Sequence, residues 1–330
     1  MQQSTLKKLS EVLGISISTV SRALKDHPDI SAATKKKVKE LATALEYEPN
    51  NSAVQLRTRQ SNILGILVPT INNFFYDSFI SAVEEDARLH GYSLMIMQSR
   101  DSYEIETANL HLFRKNMAMG VFAAISTETE NMSAFDKLED LNIPVVFVDR
   151  VPQTGPYFKV CMADEFSAKL IAETIVEKKK KNVLALFGHP HLSLSAMRLD
   201  AFTRVFREQS PETNLIIEHP EVIEESEKVT LRYLQGNNRP DVVFCMGDMI
   251  LMGVMYAIHQ LKLKVPDDIS VISISNGFIP TLYSPKITHV ETSGYKLGKL
   301  AFEQMFRRLK NESAKERVIV ESHLMPGGSI

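Results

Sequence analysis

Ile17, Ser18, Ser21 and Arg22 fall on one face of the segment Ile17–Leu24, and Val20 and Leu24 fall on the other. Helical spacing turns the apolar pair inward and leaves short polar residues and one arginine outside. An ordinary solvated helix would carry mixed Glu and Lys there. A guanidinium in that setting can donate two hydrogen bonds to a guanine edge. A second set of chemistry-bearing residues lies much later, where short apolar runs end: Asn72, Phe74 and Phe75; Asp149; Arg198, beyond Phe187-Gly188; Asp248; and Ser275 with Asn276. Aromatic rings, carboxylates, amides and an arginine gathered at strand ends suit a small molecule that carries hydroxyls or a planar ring.

The elements that must position the first set are short. Leu6, Leu9 and Leu13 define one face of a helix, Gly14 gives the permissive backbone for a turn, and Ile15 fills the angle. Ser16 is placed to cap the helix Ile17–Leu24. A third helix is expected after Pro28, capped by Ser31, with Val38, Leu41 and Leu45 as its stripe. Two helices joined at a glycine, with a third behind them, match the helix-turn-helix pattern, whose second helix enters the major groove. Small helical bundles share that pattern. Residues 1–60 hold ten Lys/Arg against six Asp/Glu, a net of +4 inside a chain of net -2, so the remainder carries -6. A basic head on an acidic body fits a phosphate-binding module joined to something else, although chance clustering also produces such a split. From Asn50 to Ser61 the chain is polar apart from Ala53, Val54 and Leu56. It offers barely two helical turns, too few to be stable alone in water.

The second set requires a different scaffold. From Asn62 short apolar runs alternate with amphipathic stretches: Ile63–Val68 then Tyr76–His90, Leu94–Met97 then Glu104–Lys115, Val121–Ile125 then Ala134–Leu141, and Val145–Val148. The alternation restarts near Asp164 and runs to Ile269–Ile274, followed by a last helix Leu297–Leu309 and a strand Arg317–His323. Strand–helix alternation of this kind predicts α/β architecture, with two successive doubly wound parallel sheets and a crevice between them facing the strands' carboxyl ends. Cys161 and Cys245 sit in apolar runs as buried thiols, as in a reducing compartment. No apolar run approaches the ~20 residues of a membrane span. With no charged-then-apolar leader before the first helix, a cytoplasmic protein away from membranes is expected. His189 and His191 flank a proline without a Cys or acid at metal spacing, and no phosphate loop or nucleophile elbow is present. Neither metal, cofactor nor enzymatic activity is therefore expected.

Gly14-Ile15-Ser16, Ser18-Thr19-Val20-Ser21-Arg22-Ala23-Leu24 and Leu45-Glu46-Tyr47-Glu48-Pro49-Asn50 resemble the headpiece of the lac repressor (LacI/GalR) family, and the resemblance runs through nearly the whole chain. It implies that Ile17, Ser18 and Arg22 read bases. It also implies that Thr5, Ser16, Thr19, Ser21 and Thr34 serve backbone phosphates, with plain helix capping as the other reading of those hydroxyls. Residues 50–60 become a hinge helix that pairs with its twin in the minor groove. There Leu56 wedges a base step, Ala53 permits close packing, and Asn50 and Arg57 lie against the DNA. The implied division is a head at 1–49, a hinge at 50–60, one lobe of 61–160 plus 292–322 and another of 161–291 plus 323–330. The resemblance also implies a body like the clamshell of periplasmic sugar-binding proteins, with Asp149, Arg198 and Asp248 matching positions the family commonly uses for ligand. An interlobe salt bridge or a helix N-cap is the competing role for each.

Two departures weaken the sugar assignment. Ser273-Ile-Ser-Asn276 replaces a Gly-aromatic-Asp-Asp/Asn string, so Ser275 stands where an aspartate is usual, and Glu218-His-Pro-Glu221 lacks the usual aromatic. A sugar, sugar phosphate, nucleobase or other small polar metabolite remains open as effector. The expected function is a sequence-specific DNA-binding regulator, acting as a homodimer on a near-palindromic double-stranded operator, with its affinity changed by that effector. No heptad tail follows the last strand, so a dimer rather than a tetramer is expected. The alternative is a transport-type small-molecule binding protein, which the clamshell alone would allow.

Overall fold

The computed structural model describes residues 6–45, 47, 61–190 and 192–330. It divides into two compact units, residues 1–60 and 61–330. In the first, α1 (Leu6–Leu13), α2 (Ile17–Leu24) and α3 (Ala32–Ala44) surround Leu9, Val20, Ala23, Val38 and Ala42. Helices of eight residues do not persist alone, so this shared core is what holds α1 and α2. Gly14 joins them at φ +63°, and a Cβ there would meet nothing within 4 Å, so the backbone conformation rather than space requires glycine.

The second unit contains two six-stranded sheets. The first lobe carries β1 (Ile63–Val68), α4 (Phe74–Leu89), β2 (Ser93–Gln98), α5 (Tyr103–Lys115), β3 (Gly120–Ala123), α6 (Ser133–Asp140), β4 (Val145–Val148) and β5 (Phe158–Met162). The second carries α7 (Asp164–Glu177), β6 (Asn182–Leu186), α8 (Ser193–Gln209), β7 (Asn214–Glu218), α9 (Ile223–Leu234), β8 (Val242–Cys245), α10 (Asp248–Gln260), β9 (Ser270–Ser275) and β10 (Thr288–Glu291). The chain then returns: α11 (Gly294–Leu309) packs on α4, and β11 (Arg317–Val320) pairs with β5. It crosses a last time to place β12 (His323–Met325) antiparallel on β10. Strand order is β11-β5-β4-β3-β1-β2 in one sheet and β12-β10-β9-β8-β6-β7 in the other.

Burial on both faces explains the continuous apolar runs in these strands. Leu64, Ile66 and Val68 point to the α4 and α11 side with Phe79 and Phe302, while Leu67, Val121 and Phe147 point to the other side with Phe113 and Phe135. The second lobe has one core, centred on Phe187, Phe202 and Phe244. Both cysteines are buried and free.

Some elements differ from the sequence expectation. The single strand expected at Arg317–His323 is two strands in different sheets, since Glu321-Ser322 carries the chain between lobes. β5 and β10 were not expected, because Phe-Lys-Val-Cys-Met and Thr-His-Val-Glu interrupt their apolar residues with polar ones. β5 keeps Cys161 and Met162 in the first sheet, two residues past the expected crossing. α4 starts at Phe74 rather than Tyr76, because the Asn73 side chain accepts from the Phe75 N–H at 2.8 Å.

Candidate DNA-reading helix and interlobe crevice

In the head, Ser16 caps α2 by accepting from the Thr19 N–H at 3.1 Å, and its Oγ lies 2.7 Å from Ser18 Oγ and 2.8 Å from Thr19 Oγ1. Ser31 treats Thr34 in the same way, at 3.2 Å to its N–H and 2.8 Å to its Oγ1. Ser16 and Thr34 therefore have capping contacts in hand, with lone pairs left for other partners. Ile17 is 47% exposed, Ser18 and Arg22 are exposed, and Ser21 and Thr19 are half-buried. Val20 and Ala23 on the opposite side are fully buried and fix the rotation of the helix. Lys39 pairs with Asp26 at 2.7 Å, tying α3 to the residue where the chain leaves α2. That contact holds the Asp26 carboxyl below its usual range. Thr5, Asn50, Ala53, Leu56 and Arg57 lie outside the described residues.

In the body, the polar residues gather where strands end. Asp149 follows β4 at φ +58°, a left-handed conformation that Asp tolerates better than most residues. Its Oδ2 accepts from the Tyr76 hydroxyl at 2.7 Å. Burial raises the Asp149 carboxyl above its ordinary range, with the Tyr76 hydrogen bond and Arg150 opposing the shift. Tyr76 is 3% exposed and its phenol is pushed well above the usual value by burial and then by the Asp149 charge. Arg150 turns to Asp101.

Arg198 points to Asp164, the first residue of α7: Nη2 is 2.6 Å and Nε 2.8 Å from Asp164 Oδ1, and Nη1 donates to the Met246 carbonyl at 3.2 Å. Asp248 is the first residue of α10 behind a Gly247 N-cap, so it does not cap that helix. Its carboxylate accepts from the Ser275 hydroxyl and, at 3.1 Å, from the Asn276 N–H, while burial raises its pKa. Asn276 reaches across the crevice. Its Nδ2 donates to the Phe74 carbonyl at 3.1 Å, and its Oδ1 accepts from Ser78 Oγ at 3.2 Å and the Gly294 N–H at 2.9 Å. Beside it the rings of Phe74 and Phe278 lie 5.7 Å apart.

The expected residues thus fall into three groups. Asp149, Arg198, Asp248 and Ser275 hold polar contacts at the strand ends. Phe74 and Asn276 join the lobes. Asn72 is exposed and Phe75 half-buried, packed edge-on to Tyr76 at 5.7 Å. Sequence reasoning missed Asp164, Ser78 and Phe278. The ring run ending at Tyr76 carried a signal for stacking, but not for the Tyr76 bond to Asp149. Asp164 had none, being 34 positions from the arginine it holds. At the second departure, Glu218 is occupied by Arg232 and the Tyr233 hydroxyl at 2.5 and 2.6 Å.

Residues 5–50 match the lacI family of bacterial regulatory proteins, and residues 172–330 match the periplasmic binding protein-like domain. The chain is 26% identical over 318 residues to the HTH-type transcriptional repressor PurR of Vibrio atlanticus, covering 96% of this chain and 95% of that protein. It is 25% identical over 310 residues to the ribose operon repressor of Halalkalibacterium halodurans, covering 94% and 91%. Among solved structures it resembles the lac repressor dimer bound to operator and the anti-inducer ONPF, with a TM-score of 0.88 and 21% identity over 99% of both chains. A helix-turn-helix head carried by a two-lobed, periplasmic-binding-protein-like body defines a ligand-binding transcriptional regulator. The helix-turn-helix segment at residues 5–50 is that of the lacI family, and the chain is a DNA-binding transcriptional regulator.

Proposed function

We propose that this protein represses transcription as a homodimer on a near-palindromic double-stranded operator, and that a small polar effector held in the interlobe crevice alters its operator affinity. The observation that carries the reading is α2 itself: an eight-residue helix locked by Val20 and Ala23 that presents Ile17, Ser18 and Arg22 outward. Ile17 suits a thymine methyl and Arg22 a guanine edge; Thr5, Ser16, Thr19, Ser21 and Thr34 serve phosphates. Asn50, Ala53, Leu56 and Arg57 act in the hinge, with Leu56 as the minor-groove wedge. Exposed Ile71 and Ile96 in the first lobe and Tyr256 and Leu282 in the second give a second copy apolar surface to cover. Asp149, Asp248 and Ser275 contact the effector, and the protein works at the nucleoid in the bacterial cytoplasm.

Operators selected from random duplexes test this reading. The full-length protein should retard a near-palindromic site in a salt-sensitive, sequence-selective way, and sediment as a dimer. Arg22→Ala should weaken that site by about 1–3 kcal/mol and relax preference at one position per half-site. Leu56→Ala should cost specific binding far more than binding to random DNA. Equal losses on both would remove the wedge, and binding without sequence preference would overturn the regulator reading.

A further inference from the structure

An arginine in a ligand crevice is the usual partner for a phosphate or carboxylate, because its fork matches two oxygens. Here that fork is already occupied. Nε and Nη2 of Arg198 both lie on Asp164 Oδ1, Nη1 lies on the Met246 carbonyl, and the two side chains are 8% and 7% exposed. Arg150, at the end of β4, is held by Asp101. Among the described residues Asp149 and Asp248 form no ion pair: Asp149 accepts from the Tyr76 hydroxyl, and Asp248 from the Ser275 hydroxyl and the Asn276 N–H. Asp101, Asp149, Asp164 and Asp248 stand against Arg150, Arg198 and the exposed Arg100, so carboxylates are still in excess. An incoming anion would have to displace Asp164 and approach two further, half-buried acids.

We propose that Asp164 is a specificity-determining residue of the crevice, the built-in anion on Arg198 that excludes phosphorylated and carboxylate effectors and leaves uncharged, hydroxyl-bearing molecules to donate to Asp149 and Asp248. The inference rests on the crevice being the effector site.

The test uses the full-length protein with inorganic phosphate as probe, read by titration calorimetry and thermal unfolding against chloride of equal ionic strength. Wild type should give no saturable binding. Asp164→Asn keeps an acceptor for the guanidinium but removes the charge, and should bind phosphate at least about tenfold more tightly. The double variant Asp164→Asn/Arg198→Gln should lose that gain. Saturable binding by wild type, or no gain in Asp164→Asn, overturns the proposal. Should Asp164→Asn not fold, Arg198→Gln decides: it must leave the phosphate response of wild type unchanged, and a response lost in it means Arg198 was open to anions. Operator affinity is measured alongside. A gain of phosphate binding that leaves operator affinity unmoved upholds the role of Asp164 and overturns the crevice as effector site.

Discussion

At the residue scale, two half-buried acids of the crevice, Asp149 and Asp248, accept from neutral donors, and Asp149 shows what this implies for stability. Desolvation raises its folded-state pKa despite the Tyr76 hydrogen bond and the nearby arginines. For an acid raised in this way, the stabilising contribution is complete below the ordinary carboxylate pKa, and it is lost as pH rises through the folded value. At neutral pH the charged form is therefore a net penalty. Asp149→Asn keeps an oxygen to accept from Tyr76 and removes the charge. Its melting temperature should exceed that of wild type at pH 7–8, with the gap closing as pH falls toward about 4. Thermal melts across that range check this, and a gap that widens on acidification would contradict it. Asp149 and Arg22 were legible in the sequence because each stands at an element end or on a face that periodicity defines. Asp164 was not, because a long-range ion pair leaves no spacing signature.

At the element scale, helix and strand periods located nearly every regular segment of the body. The exceptions had physical causes: β5 and β10 mix polar and apolar residues, and Asn73 starts α4 earlier than its apolar stripe does. Contact between α4 and α11 was also invisible locally, since it depends on two small residues meeting across more than 200 positions. A Cβ at Gly298 would lie 2.7 Å from both the Ala82 Cβ and the Phe79 carbonyl oxygen, in a buried setting. In an open helix Gly→Ala gains about 1 kcal/mol. Overpacking of a filled core costs about 1–3 kcal/mol, and here the neighbours are a buried methyl and backbone, which yield poorly. Packing should win: Gly298→Ala is expected to destabilise the body by up to about 2 kcal/mol, the difference of those effects. Urea unfolding with an unchanged m-value would register the loss, and a stabilised variant would mean that α11 can shift away from α4.

At the scale of the whole body, three chain crossings join the lobes, and a switch between them needs something that sets their resting arrangement. Asn276 is the side chain placed to do so. From the end of β9 in the second lobe it makes one bond to the Phe74 carbonyl and accepts two, from Ser78 and the Gly294 N–H, all three in the first lobe. At about 1 kcal/mol for each bond, the set is comparable to the few kcal/mol that separate conformers of a two-state protein. Asn276→Ala should remove all three bonds and speed amide exchange at Gly294. Asn276→Asp should retain the two accepted bonds but lose the donation to Phe74, placing a carboxylate beside a carbonyl, and fall between alanine and wild type. Hydrogen exchange resolved to single amides distinguishes the three proteins. An aspartate variant indistinguishable from wild type would mean that the Phe74 bond contributes nothing. Because any ligand shifts the lobes only by its differential affinity for the two arrangements, the same variants should also change the effector concentration needed to alter operator binding. Loss of the bonds without that change would place the switch elsewhere in the body.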